Sequence, residues 1–457
     1  MVTLPRLVVA APSTGQGKTT LATGLMAALR ARGLAVSGHK VGPDYIDPGY
    51  HALATGRPGR NLDPHLVGEQ RVVPLLVHGA AGADIAVIEG VMGLYDGRLG
   101  TDGFASTAHV AALTTSPVLL VLDVAVQSRS AGAIVAGMAW YDSSIRLGGV
   151  VLNRAACGPN LTEIIRSIER VGIPVLGALP EDEQLTAPSR HLGLVPAAER
   201  DASAELVERI GEQVARHVDL DGVLELAREA PDLAAEPWDP TTVVRTPSDR
   251  APVIAVAGGR AFTFRYPETD ELLRAAGCRI VVFDPLTDPE LPGGTRGIYL
   301  GGGFPETYAT ELTANRSLLA ELRSAVADGT PTVAECAGLL YLAESLDGYP
   351  MAGALPTTAA FTDRLTLRYP HATAPGDSLL TRAGEQVTGH EFHRTRTVPD
   401  HGEQPAWVID GRPTGFATAT CHASYLHVHW AGHPQLAQRF ADAAHGRVTA
   451  ASELPTT

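Results

Sequence analysis

At 457 residues, with 45% hydrophobic and 19% charged side chains, the chain is long enough for two or three cores and lies well outside disordered compositions. A formal net charge of −14 excludes a general nucleic-acid binder, since neutralising phosphates needs surplus Lys and Arg, so any anionic ligand must be held locally. The four cysteines show neither metal-ligand nor disulfide-framework spacing, which points to a reducing compartment.

The first residues run straight into a short apolar strand with no leader pattern, and no apolar run is long enough to span a bilayer; a cytoplasmic protein with no membrane partner is expected. Leu7 to Ala10, Ile85 to Ile88, Val118 to Leu122 and Gly149 to Leu152 read as buried strands alternating with helical stretches, an α/β pattern with a mostly parallel sheet. Between Pro231 and Pro252 periodicity is lost in an Asp-, Glu-, Pro- and Thr-rich stretch, the mark of an exposed linker. The alternation restarts with strands at Val253 to Ala257, Arg279 to Phe283, Gly297 to Leu300 and Thr332 to Ala334, and helices near Glu268 to Ala276 and Asn315 to Ala327. Domains are therefore expected over 1–235 and 252–450, joined by a linker over 236–251, with a frayed tail from Ala450.

Pro12-Ser13-Thr14-Gly15-Gln16-Gly17-Lys18-Thr19-Thr20 follows the first strand and opens a helix whose Leu21, Leu25 and Leu29 share a face and which ends at Gly33. This is the context of a P-loop. Thr14 to Thr20 are the ATP-binding candidates: backbone N–H groups cradle phosphates, Lys18 reaches the β/γ-phosphates and the Thr19 hydroxyl ligates Mg²⁺. Pro12 stands where the common pattern has its first glycine, so Gly15 and Gly17 must supply the loop's flexibility.

Lys40, Asp44 and Asp47 follow, then Glu89 at the end of a strand, then Asp96. Carboxylates at the C-terminal ends of parallel strands beside a P-loop sit where a metal–nucleotide complex meets its phosphoryl acceptor. Glu89 is a candidate Mg²⁺ ligand, Asp44 and Asp47 a second set for metal or acceptor, and Lys40 a group to offset charge in transfer. Taken singly, each carboxylate is more often a cap or a surface charge; the inference rests on the cluster.

In the second domain Ala334-Glu335-Cys336-Ala337-Gly338 places a thiol between a strand and a helix, where a helix N-terminus favours the thiolate. His427, in Ser424-Tyr425-Leu426-His427-Val428-His429, is the candidate general base, and Gly302 and Gly303 offer backbone N–H groups for an oxyanion hole.

These segments, from about Pro252 to Ala444, resemble the class I, triad-type glutamine amidotransferases, in which a cysteine thiolate releases ammonia from glutamine. Members usually carry a glutamate two residues after the histidine, and His429 holds that position here as the candidate third member. The combination with a P-loop, the Lys40 to Pro48 segment, Arg190-His191-Leu192-Gly193-Leu194 and Gly389-His390-Glu391-Phe392-His393 resembles the cobyrinic and hydrogenobyrinic acid a,c-diamide synthases over nearly the whole chain.

That resemblance implies a dethiobiotin-synthetase-like N-terminal domain, a flavodoxin-like glutaminase domain, and amidation of two corrin acetates through acyl phosphates, each with one ATP and one glutamine. Gln127, Ser128 and Arg129 are further substrate-facing candidates, Asn153 a base-facing one, and His390 a structural one. Any cobalt would belong to the substrate, and a homodimer is expected. Rival readings keep the chemistry on another tetrapyrrole carboxylate, or make the chain a partitioning-type P-loop switch ATPase with a degenerate second domain.

Overall fold

Short runs of wholly buried, β-branched residues build the centre of each half of the chain, because a parallel strand covered on both faces has no solvent side to alternate with. The computed structural model describes residues 1–182, 189–190, 193–194 and 203–446. The chain divides into two compact units, Met1–Trp238 and Asp239–Thr457.

In the first unit, β1 (Arg6–Ala10), β2 (Val36–Val41), β3 (Arg60–Leu62), β4 (Ile85–Glu89), β5 (Val118–Asp123), β6 (Leu147–Asn153) and β7 (Val175–Ala178) form one sheet in the order β3-β2-β4-β1-β5-β6-β7. Every pairing in it is parallel. The phosphate-loop segment leaves β1 and enters α1 (Lys18–Ala31), whose Leu21, Leu25 and Leu29 are fully buried and whose exit turns at Gly33 in the left-handed region, as the sequence pattern requires. A second helix, α2 (Asp47–Thr55), follows β2. All the strand ends that carry candidate residues are C-terminal ends, the edge where open α/β sheets bind ligands.

In the second unit the sheet runs in the order Arg279–Phe283, Val253–Ala257, Thr295–Leu300, Thr332–Glu335, Cys421–Ser424, Phe416–Ala417. Its strands are parallel except the last pair. Two small four-stranded sheets accompany it, one built on the antiparallel ribbon of Thr358–Arg368 and Glu391–Val398. Among the described residues no helix is long and apolar enough to cross a membrane. Within the Arg190 to Leu194 motif, His191 and Leu192 lie outside the described residues, and the flanking Ser189–Arg190 and Gly193–Leu194 form a short antiparallel pair; the tail from Ala450 lies outside them entirely.

Candidate functional sites

The loop between β1 and α1 is shaped by two glycines with positive φ, Gly15 at 82° and Gly17 at 100°. Asn153, at the end of β6, donates from Nδ2 to Gln16 O at 2.9 Å, so close that a β-carbon on Gly17 would strike its amide. Asn153 thus braces the phosphate loop from below, and Gln16 Oε1 in turn accepts from Asp123 N at 2.8 Å. Thr14 is exposed, and Gln16 and Thr20 are half-buried. Lys18 Nζ donates to Ser13 O at 3.0 Å and Met92 O at 2.5 Å. Burial, and then the nearby Lys40 ammonium, lower its pKa to about 8.

Behind the loop lies a buried charge cluster. Lys40 Nζ is 2.6 Å from Asp47 Oδ2, 2.9 Å from Glu89 Oε1 and 3.0 Å from Gly90 O. Thr19 Oγ1 donates to Glu89 Oε1 at 2.6 Å and is 3.4 Å from Asp47 Oδ2. Burial works against the Lys40 charge, but Asp47 and Glu89 outweigh it and hold the ammonium above its usual range. Burial likewise opposes ionisation of Glu89, yet Lys40 and the His51 hydrogen bond keep its carboxyl well below the ordinary range. Asp47 is the strained member: burial, Asp44 and Glu89 push its carboxyl upward.

The other candidates fall outside this inner cluster. Asp44 Oδ1 accepts from Ile46 N at 2.7 Å and Asp47 N at 3.2 Å, shaping the turn into α2, while its charge is still felt at Lys40. Asp96 Oδ2 accepts from Gly93 N at 2.9 Å and acts on Lys18 only through space. Gln127, Ser128 and Arg129 make the turn before the helix Ser130–Trp140, with Gln127 O bonded to Asn160 and Arg129 facing Glu163 at 3.9 Å. One residue was not foreseen: fully buried His51 places Nε2 2.6 Å from Glu89 Oε2. It lies one helical turn after Asp47 on α2, a spacing that puts both side chains on one face.

In the second unit Cys336 follows the strand Thr332–Glu335 and precedes the helix Ala337–Leu342, with φ 49° and ψ −98°, a strained corner that only a specific demand sustains. Its N–H donates to Ser424 O at 2.8 Å on the neighbouring strand. His427 shares a side-chain hydrogen bond with it. Although burial opposes the imidazolium, Cys336 and Glu335 raise the His427 pKa to about 9. His427 is fixed further by His390, which pairs with it through two backbone hydrogen bonds of 3.0 and 2.9 Å and stacks on its ring at 4.9 Å.

Two expectations need correction here. Gly302 N–H donates to Phe264 O at 3.1 Å, so it is not free for an oxyanion; its lack of a β-carbon instead admits His427, whose Cε1 would lie 2.5 Å from one. Gly303, the next residue, is buried in the loop that follows the strand Thr295–Leu300. His429 is not directed at His427: its ring stacks on Tyr266 at 4.2 Å and its Nε2 lies 3.6 Å from Glu268 Oε2. The acid beside His427 Nδ1 is Glu335, whose Oε2 is 3.7 Å away and accepts from Tyr299 Oη at 3.1 Å.

Known proteins share both halves. Residues 7–195 match the family described as the CobQ/CobB/MinD/ParA nucleotide binding domain, and residues 253–435 match the CobB/CobQ-like glutamine amidotransferase domain. Over 459 residues the chain is 60% identical to a hydrogenobyrinate a,c-diamide synthase of Thermobifida fusca (strain YX), covering 96% of this chain and 97% of that protein. It is 51% identical over 472 residues to one from Streptomyces coelicolor, with coverage of 96% and 97%. It is 40% identical over 448 residues to a cobyrinate a,c-diamide synthase of Synechococcus sp., with coverage of 96% and 98%. The chain belongs to the hydrogenobyrinate and cobyrinate a,c-diamide synthase family, with the α/β nucleotide-binding and glutamine amidotransferase halves that its sequence pattern led us to expect.

Proposed function

We propose that the chain amidates the a and c acetate groups of hydrogenobyrinic acid, using ATP to activate each carboxylate and glutamine as the nitrogen source. The observation that carries this reading is the pairing in one chain of a P-loop backed by the Lys40–Asp47–Glu89 cluster with a Cys336–His427 couple. Hydrogenobyrinate is preferred over cobyrinate because the relatives named for it are 60% and 51% identical, against 40% for one named for cobyrinate.

In the second unit the Cys336 thiolate adds to the glutamine amide carbon, and the oxyanion faces the N–H groups of Gly303 and Ala337. The His427 imidazolium gives its proton to the departing nitrogen, so ammonia leaves and a thioester remains. Water, deprotonated by His427, then releases glutamate and restores the thiol. In the first unit the P-loop N–H groups and Lys18 hold the ATP phosphates. A corrin carboxylate oxygen attacks the γ-phosphorus and ADP departs. Ammonia then attacks the carbonyl carbon of the acyl phosphate, the C–O bond to phosphate breaks so that inorganic phosphate leaves, and the amide forms once a proton is lost.

Thr19, Asp47 and Glu89 bring only oxygen donors together, gathered within 3.4 Å of Thr19 Oγ1, a set that fits Mg²⁺. Mg²⁺ bound there supplies neutralisation of phosphate charge. Mg²⁺ ordinarily keeps several waters and substrate phosphate oxygens, so it would need only one or two of these carboxylates. Lys40, bonded to Glu89 at 2.9 Å, counters charge on the transferring phosphoryl group in this reading, and His51, 2.6 Å from Glu89, holds that carboxylate in orientation. The free cysteines suit the cytoplasm, where we place the enzyme, and a homodimer is the assembly we expect.

Incubating the protein with Mg-ATP, hydrogenobyrinic acid and either glutamine or ammonium tests this directly by product mass. ATP consumption without any corrin mass change overturns it.

A further inference from the structure

We propose that Glu335, the residue immediately before the nucleophile, is the positioning acid of the glutaminase couple, taking the place that a residue two positions after the histidine fills in triad-type amidotransferases. The inference rests on the functional reading above and deepens it.

Three observations carry it. First, Glu335 Oε2 lies 3.7 Å from His427 Nδ1, the ring atom on the side away from a thiol-bound nitrogen, and both residues are nearly excluded from solvent at 6% and 1% exposure. Free active sites often hold such contacts loosely and tighten them with substrate. Second, the carboxylate has its own support: Tyr299 Oη, on the adjacent strand, donates to the same oxygen at 3.1 Å. A buried glutamate at the end of an apolar strand is costly unless its charge is used, and here tyrosine and imidazole share it. Third, the rival position is occupied otherwise, with His429 set against Tyr266 and Glu268.

Physically, Glu335 fixes the tautomer that carries its proton on Nδ1, leaving the other nitrogen to exchange a proton with Cys336 and the departing ammonia. In the ion pair that precedes attack, the imidazolium sits between two anions, the thiolate and the carboxylate. The remaining titratable groups facing His427 are His390, stacked on its ring and bonded through Nε2 to Tyr266 Oη at 3.2 Å, and His393, which burial holds neutral near pKa 4. Neither offers a negative charge. Glu335 is therefore the acid available to His427 among the groups packed around it.

The test uses the full-length protein with Glu335→Gln, Glu335→Asp, Tyr299→Phe and His429→Gln, reading glutamine hydrolysis and the pH profile of Cys336 alkylation by iodoacetamide. Loss of the orienting acid in a triad costs up to about 10⁴ in kcat, so a fall of at least about 10² is expected for Glu335→Gln, mostly in kcat rather than KM. Glu335→Asp recovers part of the loss, and Tyr299→Phe moves in the same direction by less. The alkaline limb of the alkylation profile, where His427 loses its proton, shifts to lower pH in Glu335→Gln, which a merely structural role would not produce. If Glu335→Gln does not fold, Glu335→Asp and Tyr299→Phe carry the test. Glu335→Gln within about 3-fold of wild type with an unmoved alkaline limb overturns the proposal, as does a loss confined to His429→Gln. A wild-type protein that hydrolyses no glutamine overturns the functional reading instead.

Discussion

Lys40 and Glu89 are register partners on the adjacent parallel strands β2 and β4, and their side chains meet at 2.9 Å with almost no solvent. The sheet itself therefore sets the charge pair, and Asp47 at the start of α2 closes it from one side at 2.6 Å. Removing one partner of such a buried pair leaves its counter-charge uncompensated. Lys40→Ala should cost about 3–5 kcal/mol of stability, seen as a lower unfolding temperature, and should abolish ammonia-driven amidation while glutamine hydrolysis persists. Unchanged stability would mean that the cluster is solvated in solution.

Fully buried His51 holds Nε2 2.6 Å from Glu89 Oε2. Groups that orient metal-binding carboxylates typically cost 10–100-fold in metal affinity or activity when lost. His51→Ala should thus raise the Mg²⁺ concentration needed for half-maximal ammonia-driven amidation by roughly that factor. A Mg²⁺ titration with no displacement would assign His51 to packing alone.

Gly302 is predicted to tolerate no side chain, because a β-carbon there would sit 2.5 Å from His427 Cε1. Gly302→Ala should displace the imidazole and reduce glutamine hydrolysis by at least about 10², the size of a general acid–base contribution, while ammonium still supports amidation in the other unit. Equal loss with both nitrogen sources would show a global effect.

The His427 shift also makes a statement about stability. Its folded pKa is raised from 6.5 to about 9, against burial, by Cys336 and Glu335. The stabilisation from protonated His427 is thus fully present below pH 6.5 and is lost as pH rises through about 9. Between those values wild type should lose more thermal stability than Cys336→Ser, which lacks the thiolate. Parallel curves for the two proteins would contradict the assignment of charge to this couple.

Much of this was legible in the chain. Buried parallel strands announce themselves as apolar runs, and the glycines, Lys18 and Thr19 between β1 and α1 have few other uses in that context. The ribbon Thr358–Arg368 escaped notice because most of its residues are exposed, Leu367 at 64%, so no alternation marks it. His51 was concealed by lying outside the carboxylate pattern, though its i+4 spacing from Asp47 was a usable signal. Glu335 stands inside the nucleophile motif, and a glutamate closing a wholly buried strand is the signal that marks it. Gly302 misled because glycine serves close approach as readily as it exposes an N–H.

Ammonia made at Cys336 should end up on two carboxylates of a corrin. The most direct measurement is the product mass from hydrogenobyrinic acid and Mg-ATP, for wild type and Cys336→Ser, each with glutamine or ammonium. Wild type should gain two amides with either nitrogen source, and Cys336→Ser none with glutamine but two with ammonium. Glutamine-driven amidation by Cys336→Ser, or no amide on the corrin under any condition, would contradict this.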